Sequence, residues 1–258
     1  LLVQRLHKIP RFNFPQSTGA SYPHNQGSSK LMVAEMIPDV VLTDNTSQRL
    51  PCVLVLDGST SMAKRTNDTS AIEELNKGLQ VLEDELKRDD TASQRVQLLV
   101  LRLGDDDQVE TMQDWTDAMD FSAPEIKAKG RTPLGAAVRI ALEKIEQQKE
   151  RYRDYDIPYN RPWLFLITDG GPTDDKWQDA ALDCCLAEAE GRVVVFPIGT
   201  KSANFEKLGR FSARLPIRLS GLKFRELFVW LSRSASSGSQ ASPDAEVKLP
   251  DITWGETG

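Results

Sequence analysis

Histidine and cysteine are scarce in this 258-residue chain. The only two histidines, His7 and His24, fall in the first 24 positions, and the only three cysteines are Cys52, Cys184 and Cys185. The rest of the chain lacks imidazole. That excludes, for the body of the protein, a Ser/His/Asp triad, a Cys/His pair, a His-ligated zinc or iron site and any four-cysteine zinc module. Three cysteines, two of them sequence neighbours, do not make a disulfide framework and favour a reducing compartment, the cytoplasm. Each reads as a small apolar core residue. Long apolar runs are also missing: the longest, such as Val193 to Ile198, hold about six residues against roughly 18 for a membrane-crossing helix, so no membrane is expected. No GxxxxGK[ST] phosphate loop occurs.

What the chain does carry is negative charge, unevenly placed. Residues 1–30 contain Arg5, Lys8, Arg11 and Lys30 and no acid, so the remaining 228 residues hold 28 basic and 38 acidic side chains, a net −10 within the overall −6. An acidic body is a poor binder of nucleic acid. Residues 1–31, Ser-, Gln-, Asn- and Pro-rich, are expected to be a disordered or non-native leader. Residues 32–232 are expected to form the domain, with its core in 50–232, and residues 233–258 a loosely held Ser-rich tail on which only Trp254 offers a docking group.

Strand-like and helix-like segments alternate from residue 38 onward, which predicts an α/β class, doubly wound around a mainly parallel sheet with helices on both faces. Cys52–Leu56, Trp163–Ile167 and Val193–Ile198 are apolar at nearly every position, as central parallel strands are. Asp39–Thr43, Val96–Leu103 and Arg214–Leu219 are further strands. Asp105–Asp107 reads as an acidic turn into Gln108–Trp115, whose polar make-up suits one antiparallel edge strand. Ile72, Leu75, Leu79, Leu82 and Leu86 form a helical stripe. A second helix begins at Pro133, a third is capped by Asp174 or Asp175, a short one covers Asn204–Leu208, and the last spans Leu222–Ser232 with Phe224, Leu227, Phe228 and Leu231 buried.

In a doubly wound sheet, ligands bind beyond the carboxyl ends of the strands where the winding reverses. The loops there are Asp57-Gly-Ser59-Thr60-Ser61-Met62, Gly130-Arg131-Thr132 and Thr168-Asp169-Gly170-Gly171. They supply hydroxyl and carboxylate oxygens and no nitrogen or sulfur ligand, the donor set of Mg²⁺ and, less strictly, Mn²⁺ or Ca²⁺. The nearby Lys127, Lys129 and Arg131 read as a solvated basic surface.

Asp57-x-Ser59-x-Ser61, Thr132 in Gly130-Arg-Thr-Pro-Leu-Gly135, and Thr168-Asp169-Gly170 together resemble the metal-ion-dependent adhesion site of von Willebrand factor A domains, in order, spacing and placement. Leu50–Asp57, Thr168–Asp175 followed by Trp177, and Phe224–Ser232 resemble the bacterial TerY/YegL-like members. The resemblance implies a vWA fold in which Ser59, Ser61 and Thr132 ligate the cation and Asp57 and Asp169 hold it mostly through water. It also implies an open position taken by a partner's Asp or Glu, rimmed by Thr60, Met62, Arg131, Gly170 and Gly171. Thr60 departs from the usual Asp-x-Ser-Gly-Ser motif, where glycine makes the turn easily. TerY-like proteins suggest a tellurite or chemical-stress system with a PP2C-type phosphatase and a Ser/Thr kinase as partners, and a module that is not an enzyme. The alternatives are a Mg²⁺-dependent phosphoryl-transfer or hydrolytic enzyme with Asp57 as nucleophile, although Ser59 stands where a dehalogenase-type phosphatase has its acid, and a structural subunit without metal.

Overall fold

The computed structural model describes residues 45–66, 68–104, 108–242, 249 and 251–257. The leader, the strand expected at Asp39–Thr43 and the acidic turn at Asp105–Asp107 lie outside these residues. The strands are β1 (Leu50–Asp57), β2 (Arg65–Thr66), β3 (Thr69–Ser70), β4 (Val96–Gly104), β5 (Gln108–Asp117), β6 (Trp163–Thr168), β7 (Val194–Gly199), β8 (Ile217–Leu219) and β9 (Gly255–Thr257). The helices are α1 (Ala71–Arg88), α2 (Asp90–Arg95), α3 (Leu134–Asp154), α4 (Trp177–Ala189), α5 (Phe205–Leu208) and α6 (Phe224–Gln240).

Among the described residues the main sheet has seven strands in the order β5-β4-β1-β6-β7-β8-β9. β1 pairs in parallel with both β4 and β6, so the winding reverses at β1. Every residue of β1, β4 and β6 is buried, because both faces of the sheet are covered. The two-residue side-chain period then sorts the apolar residues. Cys52, Leu54 and Leu56 face the core beneath α1 and α6, whereas Val53 and Val55 face that beneath α3 and α4. α1 starts at a capping box: Ser70 accepts from the Glu73 N–H while the Glu73 carboxylate accepts from the Ser70 N–H. Its stripe Leu75, Leu79, Leu82 and Leu86 is fully buried.

β5 runs antiparallel to β4, as expected, and β9 adds a second antiparallel edge, on β8, where only one was expected. β8 itself is confined to Ile217–Leu219, without residues 214–216. The largest correction concerns the carboxyl end. The helix expected to stop at Ser232 runs to Gln240, and the tail expected to be loosely held contributes β9 and a fully buried Trp254, 5.4 Å from the Trp230 ring. The small side chains of this stretch let the backbone lie close to the sheet: a β-carbon on Gly238 would stand 2.9 Å from the Trp163 ring. Two of the serines that suggested a solvated tail bond within the fold, Ser236 to Asp89 and Ser239 to the Ser236 carbonyl. No helix among the described residues is long and apolar enough to cross a membrane.

Candidate metal centre

Asp57 ends β1 and is fully buried. Its Oδ1 accepts from the Ser59 N–H at 2.8 Å and its Oδ2 from the Thr168 hydroxyl, so one carboxylate ties together the loops that leave β1 and β6. The first loop turns into a 3₁₀ helix, Thr60–Ala63. That turn sets the Ser59 and Ser61 hydroxyls 2.9 Å apart, and Ser61 Oγ donates to Asp169 Oδ1 at 2.7 Å. Thr60 adopts the turn without positive φ. Its N–H and hydroxyl both donate to the Gly130 carbonyl, at 3.0 and 3.1 Å, which fastens the first loop to the segment carrying Thr132.

Thr132 is delivered by a separate set of contacts. Its N–H donates to Thr173 Oγ1 at 3.1 Å and its carbonyl accepts from the Thr173 N–H at 2.9 Å, joining it to the loop after β6. The Thr132 hydroxyl faces that loop, 3.8 Å from where a β-carbon on Gly170 would lie. Upstream, Asn76 of α1 exchanges two hydrogen bonds with the Ile126 backbone, and Glu83 accepts from the Ala123 N–H. The structure thus brings all five expected ligand residues, Asp57, Ser59, Ser61, Thr132 and Asp169, to the carboxyl ends of β1 and β6 and the start of α3.

The residues fit a small hard cation. The Ser59, Ser61 and Asp169 oxygens are gathered by hydrogen bonds of 2.9 and 2.7 Å, and hydroxyl and carboxylate oxygens are the donors that a hard divalent cation takes. Among the described residues no three His, Cys, Asp or Glu side chains gather at a metal-ligating distance, so any such site here depends on hydroxyls. Burial raises the pKa of Asp169; the Ser61 hydrogen bond opposes that rise and the nearby Asp57 carboxylate adds to it. A divalent cation would relieve both the burial and the like-charge costs.

The rim needs one correction. Thr60 and Arg131 are exposed and Gly170 and Gly171 half-buried, but Met62 is fully buried in the core beneath α1, because the 3₁₀ turn aims it inward. A second correction concerns Asp174, expected with Asp175 as a cap for the third helix. α4 begins after Lys176 with no side-chain cap, and Asp174 instead accepts from the Gly135 and Ala136 N–H groups at the start of α3.

The structure adds Arg102, Thr168 and Thr173 to the site's supporting residues. Arg102, buried within β4, donates to the Lys127 carbonyl from both Nε and Nη2, at 2.9 and 2.7 Å, and pairs with Glu110. It also fills the space beside Gly58, where a β-carbon would come within 2.6 Å of Arg102 Nε. A lone charge inside the otherwise apolar run Leu98–Leu103 was the available signal. Lys127, Lys129 and Arg131 are exposed, and the backbone of this stretch bonds to the site's loops, the Lys129 N–H donating to the Gly58 carbonyl and the Gly130 carbonyl accepting from Thr60.

The model of the von Willebrand factor type A domain matches residues 52–215. No curated protein matches the chain. Among solved structures, the von Willebrand factor type A protein from Catenulispora acidiphila superposes with a TM-score of 0.55 at 13% identity, over 74% of this chain and 43% of that one. The pilus adhesin SpaC from Lactobacillus rhamnosus GG gives 0.58 at 11% identity, over 75% and 32%. The minor pilin PilB from Streptococcus sanguinis gives 0.50 at 10%, over 74% and 62%. The match therefore spans less than two thirds of the length of each of these structures. With nearly two thirds of its length matched by the family model and its parallel sheet wound as described, the chain belongs to the von Willebrand factor type A domain family.

Proposed function

We propose that this site holds a Mg²⁺-type cation and uses it to capture an Asp or Glu side chain of a partner protein. Ser59, Ser61 and Thr132 would hold the ion through their hydroxyls, and Asp57 and Asp169 mostly through water. The bound ion supplies an electrophilic position that an outside carboxylate completes, since the two resident carboxylates only balance its charge. The observation that carries the reading is the convergence of the Ser59, Ser61 and Asp169 oxygens, hydroxyl and carboxylate together, where β1 and β6 end.

Adhesion is favoured over hydrolysis by the state of Asp57. Both its carboxylate oxygens already accept hydrogen bonds and the side chain has no exposed surface, which suits a fixed orienting group and not an attacking nucleophile. The likeness of Leu50–Asp57, Thr168–Asp175 and Phe224–Ser232 to TerY/YegL-like proteins supports a place in a bacterial tellurite or chemical-stress system. The partners would be a PP2C-type phosphatase and a Ser/Thr kinase, and the compartment the cytoplasm. The test is capture of a purified phosphatase encoded beside this gene. Retention in Mg²⁺ that is lost in EDTA and in Asp57→Ala supports the reading, and retention indifferent to both refutes it.

A further inference from the structure

α4 carries apolar side chains on opposite faces. Ala180, Ala181, Cys184 and Ala187 pack inward, while Leu182 and Leu186 point outward at 60% and 48% exposure. The two leucines interrupt an outer side that otherwise exposes Gln178, Asp179 and Asp183. Here the outer side opens on a groove of about 420 Å³, walled by Trp177, Leu182 and Cys185 of α4 and by Glu206, Lys207 and Arg210 across from them. Its walls are tied together: Lys207 Nζ lies 5.5 Å from the Trp177 ring centre, and the Cys185 thiol donates to the Arg210 carbonyl.

The groove begins at the rim of the metal site. A β-carbon on Gly171 would sit 3.6 Å from Lys207 Cδ, and the Asn204 N–H at the head of α5 donates to the Gly170 carbonyl at 3.0 Å. Gly171 is two residues beyond Asp169, at most about 7 Å of chain. An extended partner segment advances about 3.3 Å per residue, so a residue two to four positions from its metal-bound acid reaches the groove.

We propose that the groove is the second half of a bipartite ligand site. It takes a Leu- or Phe-like side chain two to four residues from the captured Asp or Glu, with the cations Lys207 and Arg210 outnumbering Glu206 along its wall. This inference rests on the metal-capture reading. It selects the partner as an acidic-apolar peptide segment, because an apolar wall continuous with a carboxylate-binding position requires both groups on one chain.

The test uses fluorescein-labelled glycine-rich peptides with one central Asp, either alone or with Leu or Phe two, three or four positions to either side. Binding is followed by fluorescence anisotropy in millimolar Mg²⁺ and in EDTA, with wild type, Leu182→Asn and Ser61→Ala. Leu182 is exposed, so its replacement leaves the fold intact, which thermal unfolding checks. At least one Leu or Phe placement is expected to tighten binding roughly tenfold to a hundredfold, the range for burying such a side chain. Leu182→Asn removes that gain and leaves binding of the Asp-only peptide unchanged. Mg²⁺-dependent binding with no gain, or a gain that survives Leu182→Asn, overturns the groove and spares metal capture. Binding that ignores EDTA and Ser61→Ala yet is lost in Leu182→Asn spares the groove and overturns metal capture. No binding by any peptide overturns both.

Discussion

At the scale of the residue, Asp169 carries the electrostatic cost of the metal-free site. Burial and the Asp57 carboxylate raise its pKa, against the pull of the Ser61 hydrogen bond. The native carboxyl therefore keeps its proton to a higher pH than the unfolded chain, whose Asp titrates near about 3.9. Between those two values the native state binds more protons, so metal-free stability falls as pH rises through the window and the full cost is present above it. Mg²⁺ removes that cost only where Asp169 is ionised. The rise in melting temperature on adding Mg²⁺ is thus expected to be full at pH 7 to 8 and to shrink on acidification toward pH 4. Asp169→Asn should melt higher than wild type without metal at pH 7 and lose the Mg²⁺ response. A Mg²⁺ shift of constant size across this range would show that Asp169 does not face the ion.

At the scale of the element, the loops are held by helix starts and by a carboxyl end that doubles back onto the sheet. Asp174→Ala removes the acceptor of two N–H groups at the start of α3, two residues after Thr132. The loss should be about 1 kcal/mol in urea unfolding, with weaker Mg²⁺ binding alongside, because the same turn positions the Thr132 hydroxyl. Trp254→Ala should cost about 3–5 kcal/mol, since the ring is fully buried against Trp230, whereas a loosely held tail would give no change. α1 was legible in the sequence because its stripe and its Ser70–Glu73 cap are local. The carboxyl end was not. Whether Ser236 is solvated or bonded to Asp89 depends on a residue 147 positions away, and β9 exists only because β8 offers it an edge. Asp174 was read as a cap for the wrong helix: capping acts through space, and α3 and α4 start side by side.

At the scale of the whole molecule, the site exists because the winding reverses at β1. That reversal places the ends of β1 and β6 side by side and leaves the helix start after the 118–133 connection to close the third side. The order of the three oxygen-bearing motifs along the chain made this arrangement readable, as did the absence of imidazole from everything beyond residue 24. The inward turn of Met62 and the three-way grip of Arg102 on its neighbours were not readable, because both are set by packing between distant segments. If Ser59, Ser61, Thr132, Asp57 and Asp169 form one divalent-cation site, calorimetric titration of Mg²⁺ into wild type and Ser61→Ala will show it. Wild type should bind one Mg²⁺ per chain, and Ser61→Ala at least about tenfold more weakly while still folded. Equal binding by both proteins, or no Mg²⁺ or Mn²⁺ binding by wild type at millimolar concentration, would contradict it.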